Sequence, residues 1–148
     1  MIEEKYKTLS AYLESAIGIV KQMGLKVLSM KDGYVKLQMP LKENVNHVGT
    51  MYAGSLFTLG EIMGGAIFVT SFDMKKYYPI VKDVQIRYRR PATTDITVEL
   101  SMSENQVKEI TKELDEKGKA DFPLELQLID AKGEVVSIVQ GTWQGRKK

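Results

Sequence analysis

The longest apolar stretch of the chain runs from Ala53 to Phe72 and predicts one helix of about 30 Å, at a rise of about 1.5 Å per residue. The stretch is apolar nearly all round, which is typical of a helix buried on every side. A glycine inside a helix costs about 1 kcal/mol relative to alanine. The helix nevertheless contains four of them, Gly54, Gly60, Gly64 and Gly65. This density indicates that other backbone packs very close to the helix.

The remaining hydrophobic positions predict two further helices and six strands. Apolar residues recur at helical spacing over residues 3–23, so the N-terminal segment 1–23 is expected to form an amphipathic helix with Ile17 on its buried stripe. A second amphipathic helix begins with a capping box, Ser103 with Gln106, and ends at Gly118. The predicted strands are 25–30, 34–39, 80–90, 95–102, 120–130 and 134–144.

Two of these strands carry more specific expectations. In the strand 80–90, the residues predicted to face inward are Ile80, Val84, Ile86 and Tyr88, with Lys82 as the exception to the alternation. The last strand is apolar on both faces and is expected to be buried on both. Together the elements predict one α+β domain over residues 1–148, an antiparallel sheet curled around the central helix 53–72.

Glu61 is the only charged residue inside the predicted central helix. A carboxylate in apolar surroundings is costly unless it is paired, so Glu61 is either a structural acid tied to a lysine or to backbone N–H groups, or a candidate for chemistry. Its central position and the dense glycines argue against a membrane-spanning helix, as does the lack of a second hydrophobic segment. Asn46 lies fifteen residues upstream, in a polar loop that leads into Ala53 and Gly54. Free N–H groups at that helix start would attract a developing oxyanion.

Composition removes several classes of function. The net charge of +2 is too small to indicate nucleic acid without a clustered patch. The chain has no cysteine, which excludes disulfides, thiolate ligands and a cysteine nucleophile. Its single histidine, His47, argues against a multi-histidine metal site, and no metal is expected. The first ten residues lack the features of a signal peptide, so a cytoplasmic protein is the expectation, with neither membrane nor nucleic acid as a partner.

The order and spacing of several segments resemble the hotdog-fold acyl-CoA thioesterases of the phenylacetate-degradation-protein type, in particular their uncharacterised thioesterase-like branch. The similarity covers about residues 24–145. The segments that carry it are Asn46-(x)2-Gly49-Thr50-Met51-Tyr52-Ala53-Gly54, Leu59-Gly60-Glu61, Val81-Lys82-Asp83-Val84-Gln85-Ile86-(x)-Tyr88-(x)2-Pro91-Ala92, Gly118-Lys119-Ala120-Asp121-Phe122 and Gly133-Glu134-Val135-Val136.

The resemblance implies a thioester hydrolase whose site lies between two subunits of a hotdog homodimer. In such enzymes an Asn of the loop and a backbone N–H at the helix start position the thioester carbonyl, which carries over to Asn46 and to Ala53-Gly54. The acid on the central helix of the facing subunit, here Glu61, acts as base or nucleophile. No cofactor is implied, because coenzyme A is part of the substrate.

This chain departs from the family pattern at four places. Tyr52 stands where many members have His, and Ala53-Gly54 replaces a Gly-Gly pair. Glu61 replaces the commoner Asp, and Val81 falls where some members place a catalytic Ser or Thr. These departures concern the rate and the substrate more than the fold.

Other residues leave alternatives open. His47 is expected to contact the substrate or to be a loop or surface histidine. His47 and Glu61 are also spaced like the His–acid pair of hotdog dehydratases, which act on 3-hydroxyacyl thioesters, although the Pro-Gly turn of those enzymes is absent. Tyr52 is expected to line the acyl pocket or to pack. Three arginines, Arg87, Arg89 and Arg90, would bind the phosphates of coenzyme A or form salt bridges on a solvated strand.

The assembly and the activity are open in a similar way. Uncovered sheet edges and the apolar last strand favour a homodimer or a tetramer. A non-catalytic acyl-thioester binding protein on the same fold is the second class of function.

Overall fold

The computed structural model describes residues 1–148 and contains one six-stranded sheet in which every neighbouring pair is antiparallel. The strand order is β1-β2-β4-β5-β6-β3. Strand bounds are β1 Lys26–Lys31, β2 Tyr34–Met39, β3 Tyr77–Tyr88, β4 Ile96–Ser101, β5 Lys119–Ile129 and β6 Val135–Lys147. The sheet packs around one long helix, so the predicted α+β layout of the hotdog type is confirmed.

The helices are α1 Lys7–Ser15, α2 Gly18–Met23, α3 Ala53–Ser71 and α4 Glu104–Lys117. The capping box is confirmed, since the Ser103 hydroxyl accepts from the Gln106 N–H at 3.2 Å and the Gln106 side chain accepts from the Ser103 N–H at 2.9 Å. The central helix α3 ends one residue before the predicted Phe72, whose backbone is extended. By length and composition α3 could cross a membrane, yet 61% of its most apolar stretch of 18 residues is buried inside the protein.

The expectation that α3 is buried on every side is wrong along one stripe. Phe57 is exposed, and Glu61, Gly65 and Val69 are only half-buried, while most other side chains of the helix are in the core. These four residues are spaced four apart and therefore lie on one side of the helix. The sheet of a single chain curls around the rest of α3 and leaves this stripe open.

Gly60 and Gly64 of α3 pack against side chains of the sheet, and not against neighbouring backbone as expected. A Cβ on Gly60 would lie 2.6 Å from Val139, and a Cβ on Gly64 would lie 2.0 Å from the Trp143 indole nitrogen. Gly65 differs, because a Cβ there would have no neighbour within 4 Å.

The N-terminal segment is not the continuous helix that the periodicity predicts. It is divided into a 3₁₀ turn at Glu4–Tyr6, then α1 and α2, with extended backbone at Ile17 (φ −99°, ψ 116°). Gly18 makes a break here inexpensive, because glycine is a poor residue in a helix interior. The change of direction places Val20 in the core but leaves Ile17 53% exposed, so its predicted burial is wrong.

A β-bulge in β3 changes which side chains face α3. The pairing with β6 shifts register between Val81 and Asp83, so Lys82 is the extra residue. One inserted residue moves the residues before it to the opposite face. Val81 therefore lies beside the inward-facing Trp143, its cross-strand partner, while Ile80 is 37% exposed, contrary to its predicted inward position. Tyr88 keeps the predicted side of the strand but is also exposed.

The last strand lies in the interior of the sheet. β6 lies between β5 and β3, and the two edges of the sheet are β1 and β3. Val139 and Trp143 are buried, whereas Ile138 is half-buried and Gln140 is exposed, so the expectation of burial on both faces holds only in part.

Candidate active site

The loop that precedes α3 is anchored by Asn44, a residue that the sequence analysis did not single out. Its buried amide nitrogen donates to the carbonyl oxygens of Met23 at 2.8 Å and Pro40 at 2.7 Å. Its amide oxygen accepts from the Ser55 hydroxyl at 2.8 Å. Asn44 thus ties the loop to the end of α2, to the end of β2 and to the first turn of α3. A polar residue in an aperiodic loop gives no signal from which this role could be predicted.

Asn46 lies in the same loop, where its side chain closes a tight turn. The amide oxygen accepts from the N–H groups of Val48 at 2.9 Å and Thr50 at 3.1 Å, and the amide nitrogen donates to the Thr50 hydroxyl at 3.0 Å. An amide nitrogen has two hydrogens, so one remains available to a ligand. His47 is exposed beside it.

The first turn of α3 leaves two N–H groups without a backbone acceptor. The N–H groups of Ser55 and Leu56 both reach the Tyr52 carbonyl oxygen, at 3.0 and 3.2 Å, whereas those of Ala53 and Gly54 have no such partner. The Tyr52 ring lies against Gly54, where a Cβ would come within 2.4 Å of it. Two free N–H groups at a helix N-terminus form a site for negative charge.

Tyr88 fixes the orientation of this turn. Its hydroxyl donates to the Ala53 carbonyl oxygen at 2.9 Å. The same planar peptide group carries the Gly54 N–H, so a hydrogen bond on the carbonyl also orients that N–H. Burial, with a smaller contribution from Tyr52, raises the pKa of Tyr88, which keeps the hydroxyl protonated as a donor.

Glu61 lies eight residues beyond Ala53, about 12 Å further along the helix axis. No salt bridge or hydrogen bond joins its carboxylate to another residue of the chain, so the chain itself provides no partner for a structural acid. Burial raises the pKa of Glu61 above its ordinary value. Its side chain lines a cavity of about 390 Å³ between α3, the N-terminal helices and the start of β3.

One chain does not bring the predicted site residues together. Asn46, His47 and Tyr52 line one cavity, Glu61 lines the other, and no residue lines both. The Ala53-Gly54 turn adjoins the first cavity through Tyr52 and Ser55.

The three arginines lie apart from both cavities. Arg87 is on the face of the sheet that points away from α3, because its neighbour Ile86 pairs with the buried Val139. Arg90 forms an exposed salt bridge of 3.2 Å with Glu134. Arg89 has no carboxylate partner and follows Tyr88, which contacts the start of α3. None of the three lines either cavity, so their role in binding the phosphates of coenzyme A stays a prediction.

Comparisons with known proteins show the family to which the chain belongs. Residues 6–146 match the model of a family described as "Putative thioesterase (yiiD_Cterm)". A Pseudomonas aeruginosa protein, PA5026, described as of unknown function and a probable thioesterase, is 44% identical over 96% of this chain and 95% of its own, with a TM-score of 0.92. A Shewanella oneidensis protein described as a putative thioesterase is 25% identical over 95% of this chain and 96% of its own, with a TM-score of 0.79.

A more distant structure extends the likeness of fold. The Pseudomonas aeruginosa thioesterase PA1618 is 14% identical over 94% of each chain, with a TM-score of 0.71. None of the curated proteins that were compared matches the chain. The resemblance to hotdog thioesterases is confirmed, and the chain belongs to the thioesterase family described by the yiiD_Cterm model.

Proposed function

We propose that this protein hydrolyses acyl-CoA or a related acyl thioester to the free acid and the thiol. The observation that carries the proposal is Glu61, an unpaired carboxylate beside an apolar cavity in a chain of a thioesterase family. A carboxyl group whose pKa is raised toward neutrality is better matched to general-base work than an ordinary one.

The chemistry follows from the groups described above. The N–H groups of Ala53 and Gly54 donate hydrogen bonds to the thioester carbonyl oxygen, and the free amide hydrogen of Asn46, in the loop that leads into this turn, is a third donor. Glu61 either removes a proton from water, which adds to the carbonyl carbon, or adds to that carbon itself. In the first route the C–S bond breaks as the carbonyl re-forms, and the leaving thiolate takes the proton from Glu61. In the second route the C–S bond breaks and the thiolate leaves as the anhydride with Glu61 forms. Water then hydrolyses the anhydride, which releases the free acid, restores the Glu61 carboxylate and supplies the proton that the thiolate takes.

The separation of the two clusters supports a site built from two chains. Within one chain, Glu61 and the start of α3 are about 12 Å apart along the helix and belong to different cavities. The edge strand β3 offers twelve residues with one unpaired hydrogen-bonding side, and such edges invite pairing with a second copy. We propose a homodimer in which Glu61 of one subunit faces Asn46 and the Ala53-Gly54 turn of the other.

The activity is tested with a panel of acyl-CoA substrates, by following both the release of free thiol and the loss of water. Thiol release at a rate proportional to enzyme supports hydrolysis. Tight binding of every substrate without any product indicates the non-catalytic binding protein. Loss of water from 3-hydroxyacyl-CoA, abolished by His47→Ala alone, indicates the dehydratase.

The two-chain site is tested by mixing two impaired variants. Glu61→Gln and Asn46→Ala proteins are unfolded and refolded together, and each variant refolded alone is the control. In a mixed dimer one site holds both defects and the other holds neither, so part of the wild-type activity returns. If each site lies within one chain, every site keeps one defect and no activity returns.

A further inference from the structure

The cavity beside Glu61 is apolar apart from that one carboxyl group. Ten of its thirteen lining residues are hydrophobic, and none is Lys, Arg or His. A phosphate or another anion therefore finds no counter-charge there, and the nucleotide end of coenzyme A is excluded. An uncharged apolar group is the ligand chemistry that fits these walls.

The cavity exists because the chain departs from regular structure at two places. The break at Ile17 opens the N-terminal helices so that Tyr12, 64% exposed, and Ile17 form one wall. The bulge at Lys82 turns Val81, 43% exposed, toward the opposite wall. Exposed apolar side chains are ordinary when scattered, but here they converge on one cavity next to the candidate base. Local departures from regularity are expected where a site is built.

Gly65 provides the floor of the cavity, one turn of α3 beyond Glu61. A Cβ at this position would have no neighbour within 4 Å, so the space above Gly65 is unfilled. The open stripe from Glu61 to Val69 is about 12 Å long, at about 1.5 Å per residue. The cavity of about 390 Å³ has room for about a dozen heavy atoms at roughly 30 Å³ each, the share of volume that a water molecule has in the liquid.

From these observations we infer that the cavity binds the acyl chain of the substrate, an aliphatic chain of medium length, and that Gly65 and Ala16 set the length accepted. The inference rests on the proposed thioester substrate. The thioester lies at Glu61, and the chain runs over Gly65 toward Val69 and Met74, with Ala16 of the N-terminal segment on the opposite wall. Chains longer than about a dozen carbons exceed the cavity.

The test adds bulk to each wall separately. Gly65→Leu and Ala16→Leu fill the cavity from opposite sides, and Ala11→Leu is the matched control, because Ala11 is exposed on α1 and does not line the cavity. Dissociation constants are measured for non-hydrolysable thioether analogues from butyryl-CoA to palmitoyl-CoA, together with kcat/KM for the corresponding thioesters. Circular dichroism establishes that each variant is folded, and Gly65→Ala replaces Gly65→Leu if the larger side chain prevents folding.

The expected result is a shift of the chain-length optimum toward short chains in both cavity variants. Burial of one methylene contributes about fourfold in affinity. A leucine side chain that displaces about three methylenes should therefore weaken binding of the decanoyl analogue by about sixtyfold, while the butyryl analogue changes little. Ala11→Leu should keep the wild-type profile.

The failure of the inference and the failure of the proposed function are distinguishable. Length-dependent binding of the analogues without hydrolysis of any thioester overturns the proposed function and supports the cavity assignment. An unchanged chain-length profile in Gly65→Leu and Ala16→Leu overturns the assignment. If light scattering also shows that these variants have lost the dimer while their chain-length profile is unchanged, the cavity is instead filled by side chains of a second copy.

Discussion

Two adjacent glycines of α3 should respond to the same substitution with opposite signs. Gly64 lies under the Trp143 ring, which is 2% exposed, and a Cβ at Gly64 would lie 2.0 Å from the indole nitrogen. That nitrogen donates to the Glu61 carbonyl oxygen at 3.2 Å, so the ring cannot withdraw without losing a hydrogen bond and its place in the core. Gly65 has no neighbour within 4 Å of a Cβ.

The magnitudes follow from these distances. Replacement of glycine by alanine in a helix interior gains about 1 kcal/mol. At Gly65 nothing opposes this gain, so Gly65→Ala should raise the free energy of unfolding by about 1 kcal/mol. Overpacking of a core typically costs about 1–3 kcal/mol of stability. The contact between a Cβ at Gly64 and the Trp143 ring is so close that its cost should lie at or above the upper end of that range. Gly64→Ala should therefore lower the free energy of unfolding by about 2 kcal/mol. The two variants should then differ in stability by about 3 kcal/mol.

Urea or thermal unfolding of both variants measures the difference. For a chain of this length about 1 kcal/mol shifts Tm by roughly 2–4 °C, so Gly64→Ala should melt several degrees lower and Gly65→Ala a few degrees higher than wild type. Measurements at two protein concentrations separate the monomer's stability from that of an assembly. Equal shifts in the two variants, or a stabilised Gly64→Ala protein, would refute the packing of α3 against Trp143.

Three further predictions concern the site. Tyr88→Phe removes the hydrogen bond that orients the Gly54 N–H and should lower kcat about tenfold at nearly unchanged KM. A tenfold rise in KM at unchanged kcat would count against an orienting role. Because burial raises the pKa of Glu61 above 4.5, its charged form opposes folding: Glu61→Gln should be more stable than wild type at neutral pH, and the advantage should vanish below pH 4.5. Thermal melts across that range measure it, and a less stable Glu61→Gln at neutral pH would show instead that the carboxylate holds a structural bond. Asn44→Ala leaves the Ser55 hydroxyl and two carbonyl oxygens unpaired and should cost about 3 kcal/mol in urea unfolding, whereas a cost below about 1 kcal/mol would show that water replaces the amide.

The elements that the sequence predicts well are those with a local cause. The central helix follows from a continuous apolar run, and the helix start at Ser103 follows from its capping box; both can be recognised within a short segment. Glu61 could be singled out for the same reason, since one charge in an apolar helix is visible without the fold.

The features that escaped prediction depend on contacts between distant segments. The break at Ile17 lets Val20 enter the core, and the bulge at Lys82 lets Val81 lie beside Trp143, which is far away in sequence. Asn44 acquires its role only when Met23, Pro40 and Ser55 meet around it. Position in the sheet is likewise a property of the whole fold, which is why the sequence could not show that β6 lies between β5 and β3.

The most direct measurement compares thiol release by wild-type and Glu61→Gln protein on the best substrate of the panel, with the affinity for a thioether analogue measured in parallel. A general base contributes about 10²–10⁴-fold to a rate. Turnover should therefore fall by that factor in Glu61→Gln, while the affinity for the analogue stays within a few fold. If Glu61→Gln retains near wild-type turnover, Glu61 is not the base or nucleophile, and the account of the site is wrong.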